Sequence, residues 1–182
     1  MIDNNLIKGF DEDKDDSLKF YLEKSEDIDK CIIVNLNGYV DTYNSNYFQK
    51  QIEKIINAGY IRIIFSCYNL NYVSSTGIGY FTDFLKSVKS SGGDVVLVNV
   101  QPKVLEVFQL LGFSQFFTFK ENIKEATLFL QKEIAQGDNV FPRVVNCPVC
   151  SNSLKATKEG RFRCSNCKSI IAINNKGDVT LG

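Results

Sequence analysis

The sequence predicts an α/β fold, a mixed sheet of about five strands with about four helices, followed by a small all-β module. Between residues 17 and 136, apolar runs of strand length alternate with segments whose apolar residues recur at helical spacing. Residues 61–67 and 94–99 are apolar almost throughout, as expected of strands that helices cover on both faces. Two Cys-x-x-Cys pairs then follow within residues 145–182, a segment too short to bury a large core.

Composition limits the classes of function. The chain has no histidine, which excludes His-based triads, His acid–base chemistry and His-containing metal sites. It also lacks a G-x-x-x-x-G-K phosphate loop and a paired-carboxylate motif, so an enzyme is disfavoured. No apolar segment approaches the roughly 20 residues that span a bilayer. The acidic N-terminus is unlike a signal peptide, so we expect a cytoplasmic protein without membrane insertion.

Charge divides the chain into regions. Residues 1–30 carry ten acidic and five basic side chains, whereas residues 143–182 carry two acidic and seven basic ones. The acidic start is expected to be a loosely ordered arm. We predict an acidic flexible arm over residues 1–16, the α/β domain over residues 17–136, a linker over residues 137–144 and the cysteine-containing module over residues 145–182.

The first elements follow from pattern and turn chemistry. Residues 18–23 and 31–37 read as two strands joined by a charged connector, which predicts a hairpin. Gly38 is expected to turn the chain, and the apolar spacing that follows predicts a helix over residues 43–58. A buried strand over residues 61–67 comes next.

A loop is predicted after this strand, and from Ser75 the apolar residues at positions 78, 81, 85 and 88 recur at helical spacing, which predicts the next helix. Ser74 or Ser75 suits the N-cap of that helix. The hydroxyls therefore lie at the positive end of a helix dipole, where free backbone N–H groups favour a phosphate or an acidic partner group. Gly77 and Gly79 are expected to let another backbone come close.

Punctuating residues predict the remaining elements. The Ser-Ser-Gly-Gly segment at residues 90–93 interrupts the chain, Pro102 suits a first helical turn, and Gly112 suits the position after a helix. The predicted elements are a strand over residues 94–99, a helix over residues 102–111, a short strand over residues 116–119 and a helix over residues 122–136.

The combination of motifs over about residues 17–136 resembles the STAS family. The matching segments are Leu-Asn-Gly-Tyr-Val-Asp at 36–41, Ser-Ser-Thr-Gly-Ile-Gly at 74–79, Gly-Gly-Asp at 92–94 and Val-Phe-Gln-Leu-Leu-Gly-Phe at 107–113. This family contains the bacterial anti-sigma-factor antagonists and the C-terminal domains of sulfate transporters. The resemblance implies a regulatory binding protein whose partner is an anti-sigma factor or a serine kinase-like protein.

The resemblance also implies a phosphorylation site. In antagonists of this family a serine after a loop aspartate is phosphorylated, and that serine corresponds to Ser75, with Ser74 and Thr76 as alternatives. Ser74 replaces the usual aspartate, and Asp41 resembles the family's acidic residue near the site. A phosphate adds about 1.5 to 2 negative charges, which would repel an acidic partner surface. The implied partner-binding residues are Asp41, Ser74, Ser75, Thr76, Gly77, Ile78 and Gly79.

Two alternatives remain open beside the switch. The chain could be a STAS scaffold or small-ligand sensor that is never phosphorylated, in which case Ser74 and Ser75 only cap a helix. The sequence leaves the oligomeric state and the identity of the partner undefined.

Four cysteines predict a structural metal site. Cys147, Cys150, Cys164 and Cys167 form two Cys-x-x-Cys knuckles separated by thirteen residues, and four thiolates supply the tetrahedral shell that Zn²⁺ prefers. The module resembles a zinc ribbon, and residues 175–177 suit the turn of its closing hairpin. Iron is the alternative metal, while disulfides and a catalytic zinc are disfavoured.

The excess of basic residues in this module has two possible functions. The side chains offset the charge of about −2 on Zn²⁺ with four thiolates, or they bind nucleic acid. Phe162 is the only aromatic residue of this module that could stack on a base, so nucleic-acid binding is disfavoured. Cys31 and Cys67 fall in predicted strands and are expected to be small buried residues, with a redox role at Cys67 disfavoured.

Overall fold

The computed structural model describes residues 3–138, 143–174 and 177–182. The chain divides into two compact units, Met1–Leu130 and Gln131–Gly182. Within the described ranges, none of the helices combines the length and the apolar character that crossing a bilayer requires.

The first unit contains five strands and four α-helices, the last of which crosses the boundary between the units. Short 3₁₀ segments lie at Asn4–Leu6, Phe10–Glu12 and Ser114–Phe116. The strands and helices are β1 Leu18–Lys24, β2 Cys31–Val40, α1 Ser45–Asn57, β3 Arg62–Val73, α2 Ser75–Ser90, β4 Asp94–Val98, α3 Pro102–Leu110, β5 Thr118–Lys120 and α4 Ile123–Asp138.

The strands form one mixed sheet in the order β1-β2-β3-β4-β5. β1 and β2 are antiparallel and form the predicted hairpin, while β2 to β5 run parallel to one another. Crossover helices between the parallel strands follow from the alternating pattern of the sequence. The predicted mixed α/β fold is therefore confirmed.

Strand β3 is longer than predicted and contains two irregularities. Opposite β2, Asn35 pairs with Ser66 and Asn37 with Asn69, so one extra residue of β3 is accommodated. A second extra residue lies between the Gly38–Leu70 and Tyr39–Tyr72 pairs. Residues 63–67 are buried without interruption, and beyond them the bulges leave every third residue buried, at Leu70 and Val73. The prediction that the strand ends at residue 67 is therefore wrong, whereas the helix predicted from Ser75 is confirmed as α2, with Ser74 as its N-cap.

Gly38 lies inside β2 instead of turning the chain. Its φ is +119°, and a Cβ atom there would lie 1.9 Å from the carbonyl oxygen of Ser17. Only glycine allows β1 and its preceding residue to come this close to β2. The strand consequently continues to Val40, which places the following residues at the end of the sheet.

The described part of the predicted flexible arm is folded against the first unit, which corrects that prediction. Ile7 and Phe10 are 7% and 1% exposed and belong to the main hydrophobic core. The ring of Phe10 packs edge-on against Phe20 at 6.0 Å between centroids. Lys54 on α1 donates a hydrogen bond to the Gly9 carbonyl at 2.8 Å. These two apolar side chains explain why an acidic segment is nevertheless held in place.

Aromatic rings hold α1 and α2 against the sheet. Phe48 of α1 lies 4.8 Å from Phe81 of α2, and Phe81 packs edge-on against Phe65 of β3 at 5.0 Å. All three side chains are fully buried. Because this contact joins α1, α2 and β3, the N-terminal end of α2 has a fixed position above the sheet.

The second unit is all-β beyond the end of α4, as predicted. Two antiparallel sheets are formed, one of two strands and one of three in the order β10-β9-β8. The predicted linker is shorter than expected, because α4 extends to residue 138 and a strand begins at residue 143; residues 139–142 lie outside the described residues, as do positions 175–176 of the predicted hairpin turn. The strands are β6 Arg143–Asn146, β7 Ser153–Ala156, β8 Gly160–Arg163, β9 Ile170–Ile173 and β10 Val179–Leu181.

Candidate functional site

The ends of two neighbouring parallel strands bring the predicted site residues together. Asp41 follows β2 and Ser74 follows β3, and the Ser74 N–H donates to the Val40 carbonyl at 2.8 Å. Beyond these residues, the Oγ1 atoms of Thr42 and Thr76 lie 3.4 Å apart. The carboxyl ends of parallel strands meet at one edge of a sheet, so the segment after β2 and the start of α2 form one surface.

The serines at the start of α2 have different environments. Ser74 is the N-cap, since its Oγ accepts a hydrogen bond from the Gly77 N–H at 3.1 Å, and the side chain is half-buried. Ser75 and Thr76 are exposed. The hydroxyl of Ser75 therefore stands in solvent at the N-terminal end of a sixteen-residue helix.

Two of the predicted contact residues do not reach the surface. Gly77 is buried and the side chain of Ile78 is fully buried in the core, so neither side chain position is available to a partner. Gly79 is half-buried, with open space where a Cβ atom would stand. The expectation that both glycines admit a foreign backbone is thus corrected at Gly77, where the close neighbours are side chains and backbone of this chain.

Asp41 is held by the turn that follows it. Its Oδ1 accepts hydrogen bonds from the backbone N–H groups of Tyr43 at 2.8 Å and Asn44 at 3.1 Å. In return, Asn44 Oδ1 accepts from the Asp41 N–H at 2.9 Å. This reciprocal pair resembles a capping box and gives the half-buried carboxylate a defined position.

Exposed tyrosines that the sequence pattern did not indicate flank these residues. Tyr43 is 96% exposed in the turn after Asp41, while Tyr39 and Tyr72, at 41% and 51%, face each other across β2 and β3. The bulges in β3 place Tyr72 on the surface, so strand periodicity alone could not have located it. We call the surface formed by Asp41, Thr42, Tyr43, Ser74, Ser75, Thr76 and Gly79 the Ser75 face.

The four predicted ligand cysteines converge in the second unit. Their sulfur atoms all lie within 4.8 Å of one another, with Cys147–Cys167 and Cys150–Cys164 sulfur pairs at 3.6 Å. A tetrahedral ion with metal–sulfur bonds of about 2.3 Å separates its sulfurs by about 3.8 Å. The donor set therefore fits a single tetrahedral metal ion.

The two knuckles have the same backbone geometry. The Ser151 N–H donates to the Cys147 carbonyl at 2.8 Å, and the Lys168 N–H donates to the Cys164 carbonyl at 3.0 Å. Ser151 and Lys168 both have positive φ angles, +56° and +65°. Non-glycine residues rarely adopt this conformation, so its occurrence at matching positions indicates that the tight turns are needed to aim the sulfurs.

Local hydrogen bonds favour the thiolate form in the second knuckle. The side chain and then the backbone N–H of Ser169 lower the pKa of Cys167 to about 6. The backbone N–H of Cys167 lowers the pKa of Cys164. A metal ligand must be a thiolate, and these bonds favour that form at Cys164 and Cys167. In the first knuckle, the backbone hydrogen bonds to Cys147 are outweighed by burial and by the neighbouring thiols of Cys167 and Cys150, which raise its pKa to about 11.

The other two cysteines are chemically different. Burial raises the pKa of the Cys31 thiol to about 11 and that of Cys67 to about 12. Both side chains are buried, as predicted. Neutral buried thiols are poor nucleophiles, which argues against a redox role for Cys67.

Comparison with known proteins gives two family matches. The family model for the STAS domain matches residues 22–126, and the model for a domain of unknown function (DUF8512) matches residues 144–182. The first match spans more than half of the chain and contains every residue of the Ser75 face. The second spans the four-cysteine cluster.

Individual relatives are similar over the first unit. BtrV of Bordetella bronchiseptica, by its name a candidate anti-sigma factor antagonist, is 29% identical over 90 residues, covering 50% of this chain and 78% of BtrV. The anti-sigma-B factor antagonist of Bacillus subtilis is 29% identical over 82 residues, covering 44% and 73%.

A solved structure supports the same assignment. The crystal structure of the Thermotoga maritima protein TM1081, titled a candidate anti-sigma factor antagonist, superposes with a TM-score of 0.57 at 26% identity, covering 62% of this chain and 94% of TM1081. Fold, motif positions and family model thus agree, and this chain belongs to the STAS domain family, within which it is similar to anti-sigma factor antagonists.

Proposed function

We propose that this chain is a non-enzymatic regulatory protein that binds an anti-sigma factor or serine kinase-like protein through the Ser75 face. One observation carries the proposal: Ser75 and Thr76 are exposed at the N-terminal end of α2, next to the turn that holds Asp41. The names of its relatives as anti-sigma factor antagonists support the partner class.

Phosphorylation of Ser75 is the proposed switch. Ser74 is a poorer phosphorylation site because its Oγ already caps α2. Thr76 is also poorer, because its Oγ1 lies beside that of Thr42. A phosphate on Ser75 would meet the positive end of the helix dipole, so the fold tolerates it. The same phosphate would add about 1.5 to 2 negative charges beside Asp41, which would weaken binding to an acidic partner surface.

Exposed tyrosines would supply the apolar part of the interface. Tyrosine is enriched among residues that contribute most to protein–protein binding, because it buries a large ring without losing much side-chain freedom. Tyr43 is almost fully exposed within the Ser75 face, and Tyr39 and Tyr72 adjoin it. Phe84 on α2 is 5% exposed and belongs to the core, so it does not add to this interface.

The switch is tested with recombinant protein and the serine kinase-like anti-sigma proteins of the source organism. Incubation with ATP should place one phosphate on Ser75, located by phosphopeptide mass spectrometry, and Ser75→Ala should abolish it. Ser90→Ala, at the other end of the same helix, is the matched control. Labelling that persists unchanged in Ser75→Ala would contradict the switch.

A binding experiment separates the switch from the alternative of a STAS scaffold or small-ligand sensor that is not phosphorylated. Opposite effects of Ser75→Asp and Ser75→Ala on affinity for the partner support a switch. Equal affinities favour the scaffold or sensor.

For the second unit we propose a structural Zn²⁺ held by Cys147, Cys150, Cys164 and Cys167. The sulfur–sulfur distances and the paired knuckles support it. With all four ligands from the protein, no position is left for a reacting water. Elemental analysis of protein purified from cells that were supplied with both zinc and iron distinguishes the two metals.

The ribbon would act as an interaction module rather than a nucleic-acid-binding domain. The side chains of Arg161, Arg163 and Lys168 are exposed, and these residues lie close to the ligand cysteines in the sequence. Their positive charges can offset the charge of about −2 on a zinc tetrathiolate. Absence of salt-dependent binding to DNA or RNA by the full chain would support this view.

A further inference from the structure

We infer that Asn44 is the positioning residue of the Ser75 face and that it couples this face to the N-terminal segment through Ser17. Asn44 is 3% exposed and therefore cannot itself contact a partner. It lies where β1, β2 and α1 meet the turn that carries Asp41. Its role in binding rests on the proposed function, whereas its effect on the turn does not.

The donor and acceptor atoms of the Asn44 side-chain amide all have hydrogen-bond partners. Its Nδ2 donates to the Tyr39 carbonyl and to Ser17 Oγ, both at 2.8 Å, and its Oδ1 accepts from the Asp41 N–H at 2.9 Å. An amide side chain offers two donor hydrogens and one acceptor oxygen. The Asp41 N–H can only donate and the Tyr39 carbonyl can only accept, so rotating the amide by 180° would lose both bonds.

These bonds fix the turn from both ends. The backbone N–H of Asn44 donates to Asp41 Oδ1 at 3.1 Å, which closes the reciprocal pair. Ser45 Oγ then donates to the Thr42 carbonyl at 3.0 Å, and Thr42 Oγ1 lies 3.4 Å from Thr76 Oγ1. Through the turn, Asn44 therefore sets the position of the Asp41 carboxylate relative to the start of α2.

The same residue ties the turn to the N-terminal segment. Ser17 Oγ accepts from Asn44 Nδ2, while the Ser17 carbonyl accepts from the Tyr39 N–H at 3.1 Å. Asp15 Oδ1 in turn accepts from the backbone N–H groups of Ser17 at 2.8 Å and Leu18 at 3.1 Å. A continuous chain of hydrogen bonds thus runs from Asp15 through Ser17 and Asn44 to Asp41.

Removing a buried partner leaves the remaining donors and acceptors unpaired, which costs far more than an exposed hydrogen bond. Loss of the Asn44 amide should therefore open the turn locally, while strands deeper in the sheet keep their protection. Loss of the Ser17 hydroxyl should open it in the same way but less, because the bonds to Tyr39 and Asp41 remain.

The test is amide hydrogen exchange of the full chain, followed residue by residue by NMR. In Asn44→Ala the amides of Asp41, Tyr43 and residue 44, which donate the hydrogen bonds of the turn, should exchange at least about tenfold faster, while those of residues 95–98 in β4 report global stability. Asn57→Ala, at the exposed last residue of α1, the helix that Asn44 precedes, is the matched control.

A second readout follows the coupling. The Thr76 amide resonance should shift in the same direction in Asn44→Ala and in Ser17→Ala, by less in the latter. Equal acceleration at β4 and at the turn would make Asn44 merely a stabilising residue and overturn the proposal. Ser17→Ala removes a single half-buried hydroxyl and keeps the Asn44 bonds to Tyr39 and Asp41, so it still tests the coupling if Asn44→Ala does not fold, and an unchanged turn in Ser17→Ala would overturn the proposal as well. Neither readout requires a partner, so failure of the proposed function would appear separately, in binding experiments alone.

Discussion

Gly77 and Val40 are in such close contact that a Cβ atom on Gly77 would lie 2.8 Å from Val40 Cγ1. It would also lie 3.1 Å from the Val40 carbonyl, whose oxygen already accepts a hydrogen bond from the Ser74 N–H. The backbone at the end of β2 therefore cannot move aside without losing that bond. This contact fixes the distance between the Asp41 turn and the start of α2.

Gly77→Ala should destabilise the first unit although alanine is the better helix former. Overpacking typically costs about 1–3 kcal/mol, while replacing glycine within a helix returns up to about 1 kcal/mol. Urea denaturation followed by circular dichroism measures the difference.

Gly79→Ala is the matched control, two residues further along the same helix. No atom lies within 4 Å of the Cβ position there, so only the helix-propensity gain applies and stability should rise by up to about 1 kcal/mol. Equal effects of the two substitutions would show that the contact with Val40 does not constrain the site.

The fold class was predictable because alternation of strand and helix patterns is a property of long segments. The extent of β3 was not. After Cys67 its two bulges bury every third residue instead of every second one, and the bulges depend on pairing with β2, which a single segment does not reveal. The tyrosine at residue 72 was missed for the same reason.

The N-terminal segment shows a second limit of pattern reading. Its acidic composition indicated an arm, but Ile7 and Phe10 anchor it in the core, and their partners come from residues far along the chain. The four cysteines, by contrast, were located completely, because metal-ligand spacing is local. Motif residues Gly77 and Ile78 were identified, but whether they face solvent depends on tertiary packing.

Low pH should break the ion pair between Asp13 and Lys54. The Lys54 ammonium group, 2.9 Å from the carboxylate, lowers the pKa of Asp13, first through the hydrogen bond and then through its charge. Because the folded pKa lies below the unfolded value, the contact stabilises the fold at neutral pH, and this contribution is lost as the pH falls below about 4. In urea titrations Asp13→Asn should be less stable than wild type at pH 7, and the difference should diminish progressively as the pH falls below about 4. Asp16→Asn, at an exposed position, serves as control, and a pH-independent deficit in Asp13→Asn would contradict the assignment.

The six cysteines should fall into two reactivity classes. Burial keeps Cys31 and Cys67 protonated, with pKa values of about 11 and 12, so iodoacetamide at pH 8 should not modify them in the folded chain. After metal removal by a chelator, mass spectrometry should show four adducts, and denaturation should raise the number to the six thiols of the sequence. Modification of Cys67 in the folded chain would show that its strand opens readily.

Metal loss should unfold the second unit and leave the first intact. The small core of the second unit consists of Val145, Ala156, Ile171 and Ile173 around two of the cysteines, which is too little apolar surface to offset the entropy of ordering the chain. Binding of a tetrathiolate metal would supply the missing free energy. Cys164→Ser should therefore lose the metal and the dispersed NMR signals of residues 143–174, whereas Ser165→Ala, at the exposed neighbouring position, should keep both. Signals of the five-stranded sheet should not change in either variant, because it belongs to a separate compact unit. A Cys164→Ser protein whose second unit stays folded without metal would show that the strands alone stabilise it.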